Sequence, residues 1–360
     1  MDILLGNLFF VYLGSLLARI RPGGNELEHD YRNYNYICIF FITISLIFVS
    51  GFRYKSGTDY GTYSLIYGNT PNYNINESSE WGFLLLCKIL YGISQNPQIM
   101  FLVTSIIINV LIVYGVMKYS IKFELSMYLY ITTFCYYSTF NGIRQWIASA
   151  ILFMGYKYIL NRNWKRYFII VLIAYIFHNS ALIMIPLYFI VNRKFTSKNT
   201  LYLILIFALS YVFFDSFLAT LFDFLQGTRY EHYETGMKEW QEGGSMLRVL
   251  VYSLPILVIF IFRKNFKLDK NYELNILMNL CLMSVLFMLL GTKHVFFVRL
   301  NLYFDIYYVL LLPMLTKTSD KKFNAFIYYS ILICYFAFSY KLLTLGDSNI
   351  IPYKMRTNIF

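Results

Sequence analysis

Charge is scarce in this chain. Asp, Glu, Lys and Arg make up 14% of its 360 residues, against roughly 25% in a soluble domain. That shortage excludes a large water-exposed surface. Cysteine pairs are missing as well: Cys38, Cys87, Cys135, Cys281 and Cys334 each stand alone in an apolar stretch. Without a CxxC or other paired spacing, neither a disulfide framework nor a zinc site is suggested. No GxxxxGK[ST] loop, no GxGxxG opening a helix, no HExxH and no GxSxG elbow occurs. No DxD pair offers to hold a nucleotide-sugar metal. The sequence therefore predicts no cofactor and no metal, and argues against nucleotide use and zinc hydrolysis. Before the first apolar run, Ile3 to Ala18, there is no basic residue, and no small-residue cleavage site follows it. It reads as a first transmembrane helix rather than a cleaved signal peptide.

What is abundant is apolar sequence. Hydrophobic residues reach 58%, with 35 Tyr and 34 Phe, and the mean hydropathy is +0.53. Apolar segments run over 3–18, 36–52, 99–117, 124–140, 143–160, 167–191, 199–217, 248–262, 274–291, 302–316 and 323–343. They predict an all-α polytopic membrane protein, one integral domain over 1–360 with about 11–12 transmembrane or re-entrant helices. Most Tyr and Phe are expected to face lipid or form interfacial belts. The net charge of +12 does not point to nucleic acid, because the basic residues fall in short clusters between apolar segments.

One alternating set of loops holds Arg19, Arg21, Arg32, Lys118, Lys122, Arg162, Lys165, Arg166, Arg193, Lys194, Lys198, Arg263, Lys264, Lys267, Lys270, Lys317, Lys321 and Lys322, which is 18 of the 31 basic residues. The positive-inside rule makes that set cytoplasmic and both termini extracytoplasmic. The remaining loops, 53–98, 218–247, 292–301 and the tail 344–360, then lie outside, with 53–98 and 218–247 the long ones. Parity requires one adjustment. Segment 167–191 has basic clusters at both ends, and 25 residues are too few for two full spans of about 20 each. It predicts a hairpin of two short helices broken at Phe177-His178-Asn179-Ser180; one long tilted span is the alternative.

The polar residues left in the outer segments are the candidate site. Arg53, Arg144 and Arg299 are the residue type that grips phosphate bidentately, although each alone could snorkel to headgroups. Asn141 and Gln145 share one helix face with Arg144 beside them. Asp59 and Glu80 could accept a proton from a hydroxyl, or be a solvated carboxylate and a helix-start acid. His178 is a base or a structural hydrogen-bonder at a helix break. Tyr54, Tyr60, Tyr63 and Trp81 could stack on sugar rings. Asp215 and Asp305 could balance the arginines.

In order along the chain, Gly51-Phe52-Arg53-Tyr54-Lys55-Ser56-Gly57-Thr58-Asp59-Tyr60-Gly61-Thr62-Tyr63, Glu80-Trp81-Gly82-Phe83, Asn141-Gly142-Ile143-Arg144-Gln145, Ala174 to Ala181, Arg299 to Phe304 and Ile351-Pro352-Tyr353 resemble the Wzy-type polysaccharide polymerases of the EpsG-like family. The resemblance implies a C-type glycosyltransferase-like enzyme of the bacterial inner membrane, independent of metal. It would join undecaprenyl-pyrophosphate-linked oligosaccharides into an O-antigen, capsule or exopolysaccharide. On this chain it assigns Arg53, Arg144, Gln145, Arg299, Tyr60 and Asn141 to substrate binding and Asp59, Glu80 and His178 to catalysis. Implied partners are the lipid-linked substrate, a chain-length regulator and a flippase. An O-antigen ligase or another lipid-donor glycosyltransferase, and a flippase of lipid-linked oligosaccharides, stay open as alternatives.

Overall fold

A computed structural model describes residues 1–19, 34–75, 78–225 and 244–358. Among these the structure is helical, without a strand; a single isolated antiparallel bridge joins Arg53 to Met355. In chain order the helices are α1 Asp2–Arg19, α2 Tyr36–Gly51, α3 Tyr60–Gly68, α4 Trp81–Tyr91, α5 Gln98–Tyr119, α6 Phe123–Thr132, α7 Cys135–Ser138, α8 Ile143–Met154, α9 Tyr156–Leu160, α10 Trp164–Phe177, α11 Met184–Val191, α12 Lys198–Val212, α13 Phe214–Leu225, α14 Met246–Ile261, α15 Tyr272–Gly291, α16 Val295–Asn301, α17 Tyr308–Met314 and α18 Lys321–Thr344. Their starts are set locally: Asn35, Asn163, Asn271 and Asp320 each use a side-chain oxygen to accept a first-turn N–H, satisfying donors that have no partner inside the helix.

Among the described residues α1, α5, α15 and α18 can each cross a membrane by length and composition, and two bent pairs raise that count to six. The protein is an all-α, multi-pass membrane protein. One core runs through it: α1 packs along α2, α2 on α5, α5 on α8, α8 on α10, and α14 and α16 on α15.

Several segments that look continuous in sequence are broken. Segment 124–140 breaks at Phe134, which sits at φ 74° between α6 and α7. Segment 143–160 breaks between α8 and α9, and 302–316 belongs to a pair bent by 45°. Segment 199–217 turns by 100° after Val212, so α13 leaves the line of α12 instead of completing a straight span. Breaks free backbone carbonyls, and in an apolar interior those need donors. Side-chain hydroxyls supply them. Tyr252 donates to the Thr133 carbonyl at 3.2 Å and Ser149 to the Leu302 carbonyl at 3.0 Å. Part of the aromatic set serves this interior. Tyr130, Tyr136, Tyr137, Tyr156, Tyr252, Tyr307 and Tyr308 are fully buried, not belt residues.

Segment 167–191 folds back on itself. The Tyr167 and Tyr188 rings stack at 5.3 Å, although 21 residues of straight helix would set them about 30 Å apart. At the open end, Tyr272 joins the two arms. Its hydroxyl receives a bond from Arg162 and donates to Asn192, at 2.9 and 2.6 Å. His178 is at the other end, at the tip, where the backbone is extended (φ −154°, ψ 120°) between α10 and a 3-10 turn. The tip therefore lies at the opposite end of the hairpin from the basic residues at its base. Most of the second expected long loop, 218–247, lies outside the described residues.

Candidate active site

Four segments meet at the hairpin tip. The first is loop 52–59 after α2. Gly57, at φ +101°, turns it so that its N–H reaches the Asn349 carbonyl at 2.8 Å; a side chain at that φ would be strained. The loop delivers Asp59 to the start of α8. There Gly142, at φ +56°, donates its N–H to Asp59 Oδ2 at 2.8 Å, and Asp59 N–H donates to Asn141 Oδ1 at 3.1 Å. A carboxylate at a helix N-terminus is favourably placed against the exposed N–H groups. Arg299, in the last turn of α16, holds Nη2 4.0 Å from Asp59 Oδ1, and its carbonyl accepts a 2.5 Å bond from Gln145 Nε2.

The second half of the cluster centres on Glu80, just before α4. Its Oε1 contacts His178 Nδ1 at 2.6 Å and accepts the Asn179 N–H at 3.4 Å, while Oε2 pairs with Arg144. Asn179 Nδ2 also holds Ser79 Oγ at 2.7 Å. The Arg144 guanidinium faces the rings of Tyr63 and Phe83, each at 5.8 Å, and the Tyr63 hydroxyl accepts the Arg144 backbone N–H at 3.3 Å. The approach of α4 to α10 depends on Gly82. An added Cβ there would lie 2.3 Å from Ile176 Cγ2 and 3.1 Å from the Ile176 carbonyl oxygen.

Burial disfavours the charged form of Glu80, but the His178 hydrogen bond, the charges of Arg144 and His178 and the Asn179 N–H outweigh it. The net effect holds its carboxyl below the ordinary 4.5. Glu80 is therefore ionised and accepts from His178 Nδ1, which leaves the ring's Nε2 turned away from the carboxylate. The side chains are open enough to be reached: Glu80 is 12% exposed, His178 26% and Arg144 34%.

The structure thus brings Asp59, Glu80, Asn141, Arg144, Gln145, His178 and Arg299 together. Arg53 and Tyr60 lie beside this cluster, but their side chains are engaged with other groups. Arg53 is 2% exposed, donates to the Ser50 and Phe140 carbonyls, and lies over Phe101 and Phe140 at 4.7 and 5.0 Å. Burial pushes its pKa down to about 10. It is a strut at the end of α2, closed to a phosphate. Tyr60 stacks on the same Phe101 ring, 4.5 Å away with the rings 13° apart. Asp215 is exposed on α13. Asp305 is buried and accepts from Ser284 and Asn301 at 2.9 and 2.6 Å. Sequence reasoning missed Arg248 and Asp347, which form an ion pair at 2.9 Å. An arginine opening the apolar segment 248–262 was the available signal.

Fold and site together define a multi-pass helical membrane protein. A carboxylate–histidine pair and two arginines gather at one end of its bundle. The chain belongs to the EpsG family, whose model matches residues 36–355. That membership marks a polysaccharide polymerase of glycosyltransferase type. No curated protein and no solved structure matches the chain.

Proposed function

We propose that the protein joins undecaprenyl-pyrophosphate-linked oligosaccharide repeat units into a surface polysaccharide at the outer face of the inner membrane. The observation that carries this reading is Glu80 bridging His178 and Arg144. It couples a base to a phosphate-gripping cation in one rigid unit.

In this reading the acceptor sugar hydroxyl attacks the anomeric carbon of the donor. Its proton passes to His178 Nε2, and Glu80 stabilises the imidazolium that forms. The bond from the anomeric carbon to the lipid pyrophosphate breaks, and the pyrophosphate leaves with the electron pair. Arg299 and Arg144 stabilise the developing charge, helped by the N-terminal end of α8. Single displacement inverts the anomeric centre. Asp59 holds Arg299 and the Gly142 N–H in place until the anion arrives. In this reading the cluster, opposite the basic base of the hairpin, faces outside and both termini are extracytoplasmic, which the positive-inside rule supports.

The test is a gel of surface polysaccharide from cells lacking the protein, complemented with wild type, His178→Gln or Arg144→Lys. The reading expects single repeats instead of polymer for both variants. Lysine keeps the charge but loses the planar fork, so full-length polymer with Arg144→Lys contradicts the phosphate role. Polymer retained on its lipid carrier after deletion would mark a ligase, and repeats trapped inside a flippase.

A further inference from the structure

After α18 the chain returns to the site. Gly346 turns it at φ +75°. Asp347 Oδ1 then accepts from Arg248 Nη2 at 2.9 Å. Arg248 lies in the first turn of α14, 7% exposed, with its guanidinium 4.9 Å from the centre of the Phe134 ring. The next two residues touch the segments that carry Asp59. The Ser348 carbonyl accepts from Asn141 Nδ2 at 3.1 Å. The Asn349 carbonyl accepts from the Gly57 N–H at 2.8 Å. Asn141 is in turn the acceptor of the Asp59 N–H.

Both Ser348 and Asn349 stand at positive φ, 62° and 52°. Consecutive non-glycine residues stay in that region only where surrounding contacts hold them. Those contacts continue along the segment. Ile350 is fully buried, and the Tyr353 hydroxyl donates to the Val49 carbonyl at 2.6 Å. Tyr54 and Arg356 exchange 2.8 Å backbone bonds with Lys354 and Phe52 across the Arg53–Met355 bridge.

We propose that Asp347 to Arg356 is a positioning strap, anchored by the Arg248–Asp347 ion pair, that sets Asp59 and the Gly142 N–H beside Arg299. Arg248 and Asp347 are positioning residues: they touch no reacting atom and act through Ser348, Asn349 and Asn141. The proposal rests on the assignment of Asp59 and its neighbours to the polymerising site.

The experiment reads strap docking and polymer formation separately in the full chain. Ile350→Cys is placed in a chain carrying Cys38→Ala and Cys334→Ala, and a membrane-impermeant maleimide reports on it. With the anchor intact the thiol is protected. Asp347→Ala, which removes a partly exposed side chain and leaves the buried Arg248 without its partner, should expose it to label. Polymer yield should fall about tenfold to a hundredfold at unchanged membrane content, since displacements near 1 Å cost on that order. Asp347→Glu should restore both readings, and Arg248→Lys should do better than Arg248→Ala in both. Labelling that rises while polymer stays full-length overturns the proposal, as does polymer loss with the thiol still protected. His178→Gln keeps the two readings apart. If it leaves polymer intact, the site assignment fails, while the labelling still decides whether the ion pair anchors the strap.

Discussion

Glu80 and His178 lie 98 residues apart in sequence and meet at 2.6 Å. Nothing in either segment requires the other. The contact exists because Gly82 lets α4 approach Ile176 in the last turns of α10, and because the chain breaks at His178 so that the ring leaves the helix line.

That close approach gives the first prediction. Gly82→Ala should destabilise the protein by about 1–3 kcal/mol through overpacking, seen as earlier thermal unfolding in detergent. Ile176→Ala in the same chain should recover part of the loss by opening room. A Gly82→Ala variant as stable as wild type, with polymer unchanged, would contradict the close packing.

Gly142 should behave differently. An added Cβ meets nothing nearer than Leu302 Cδ1 at 3.6 Å, so the penalty of Gly142→Ala comes from its φ of +56° alone. About 1–2 kcal/mol is expected, with no recovery when Leu302 is shortened. Thermal unfolding of the single and double variants separates backbone strain from crowding.

The two arginines predict a dissociation. Arg53→Met removes a buried guanidinium from two carbonyls and two rings, and should lower stability by about 1–3 kcal/mol with activity falling only in step with folded protein. Arg144→Lys keeps a cation opposite Glu80 but loses the planar fork, so it should lower stability by no more than about 1 kcal/mol and abolish polymer. Normalising polymer yield to folded, membrane-inserted protein checks both.

The pH dependence follows from Glu80. Its carboxyl is held below its ordinary value of 4.5, so the folded state binds that proton less readily than the unfolded chain does. Its stabilisation is complete above pH 4.5 and is lost as pH falls through the depressed folded value. Glu80→Gln should flatten that acid limb, measured as the difference between the two unfolding curves below pH 4.5. Equal curves would mean that the Glu80 carboxyl binds its proton equally well in the folded and unfolded chains.

His178→Gln should lower the rate of polymer formation by about 10²–10⁴, the usual scale for removing a general base. Single-repeat product should accumulate. Unchanged polymer would leave His178 a hydrogen-bonding residue of the hairpin tip.

The interruptions at 52–60, 141–145 and 177–180 are legible in sequence because ionisable and amide groups stand out in apolar surroundings. The fate of each is not. Arg53 and Arg144 have the same signature, an arginine beside an apolar run. One is sealed between Phe101 and Phe140, and the other is open and paired with Glu80. What separates them is which distant rings pack over the guanidinium. The breaks at Phe134 and after Val212 escaped hydropathy for a similar reason. Apolar residues continue through both, and donors such as the Tyr252 hydroxyl, which satisfies Thr133 at the first, come from another helix.

Sequence by itself determined that this chain spans a membrane and that its polar residues cluster in a few segments; for 167–191 it offered a hairpin beside one long tilted span. Those follow from local composition, since transfer of each segment into lipid depends on its own side chains. Only the tertiary structure decided that Glu80 belongs to His178 and Arg144, that Asp59 caps α8, that Arg53 is a strut, and that the C-terminal segment ties Arg248 to the site. Pairings of that kind are set by packing between remote helices, and no window along the chain contains both partners.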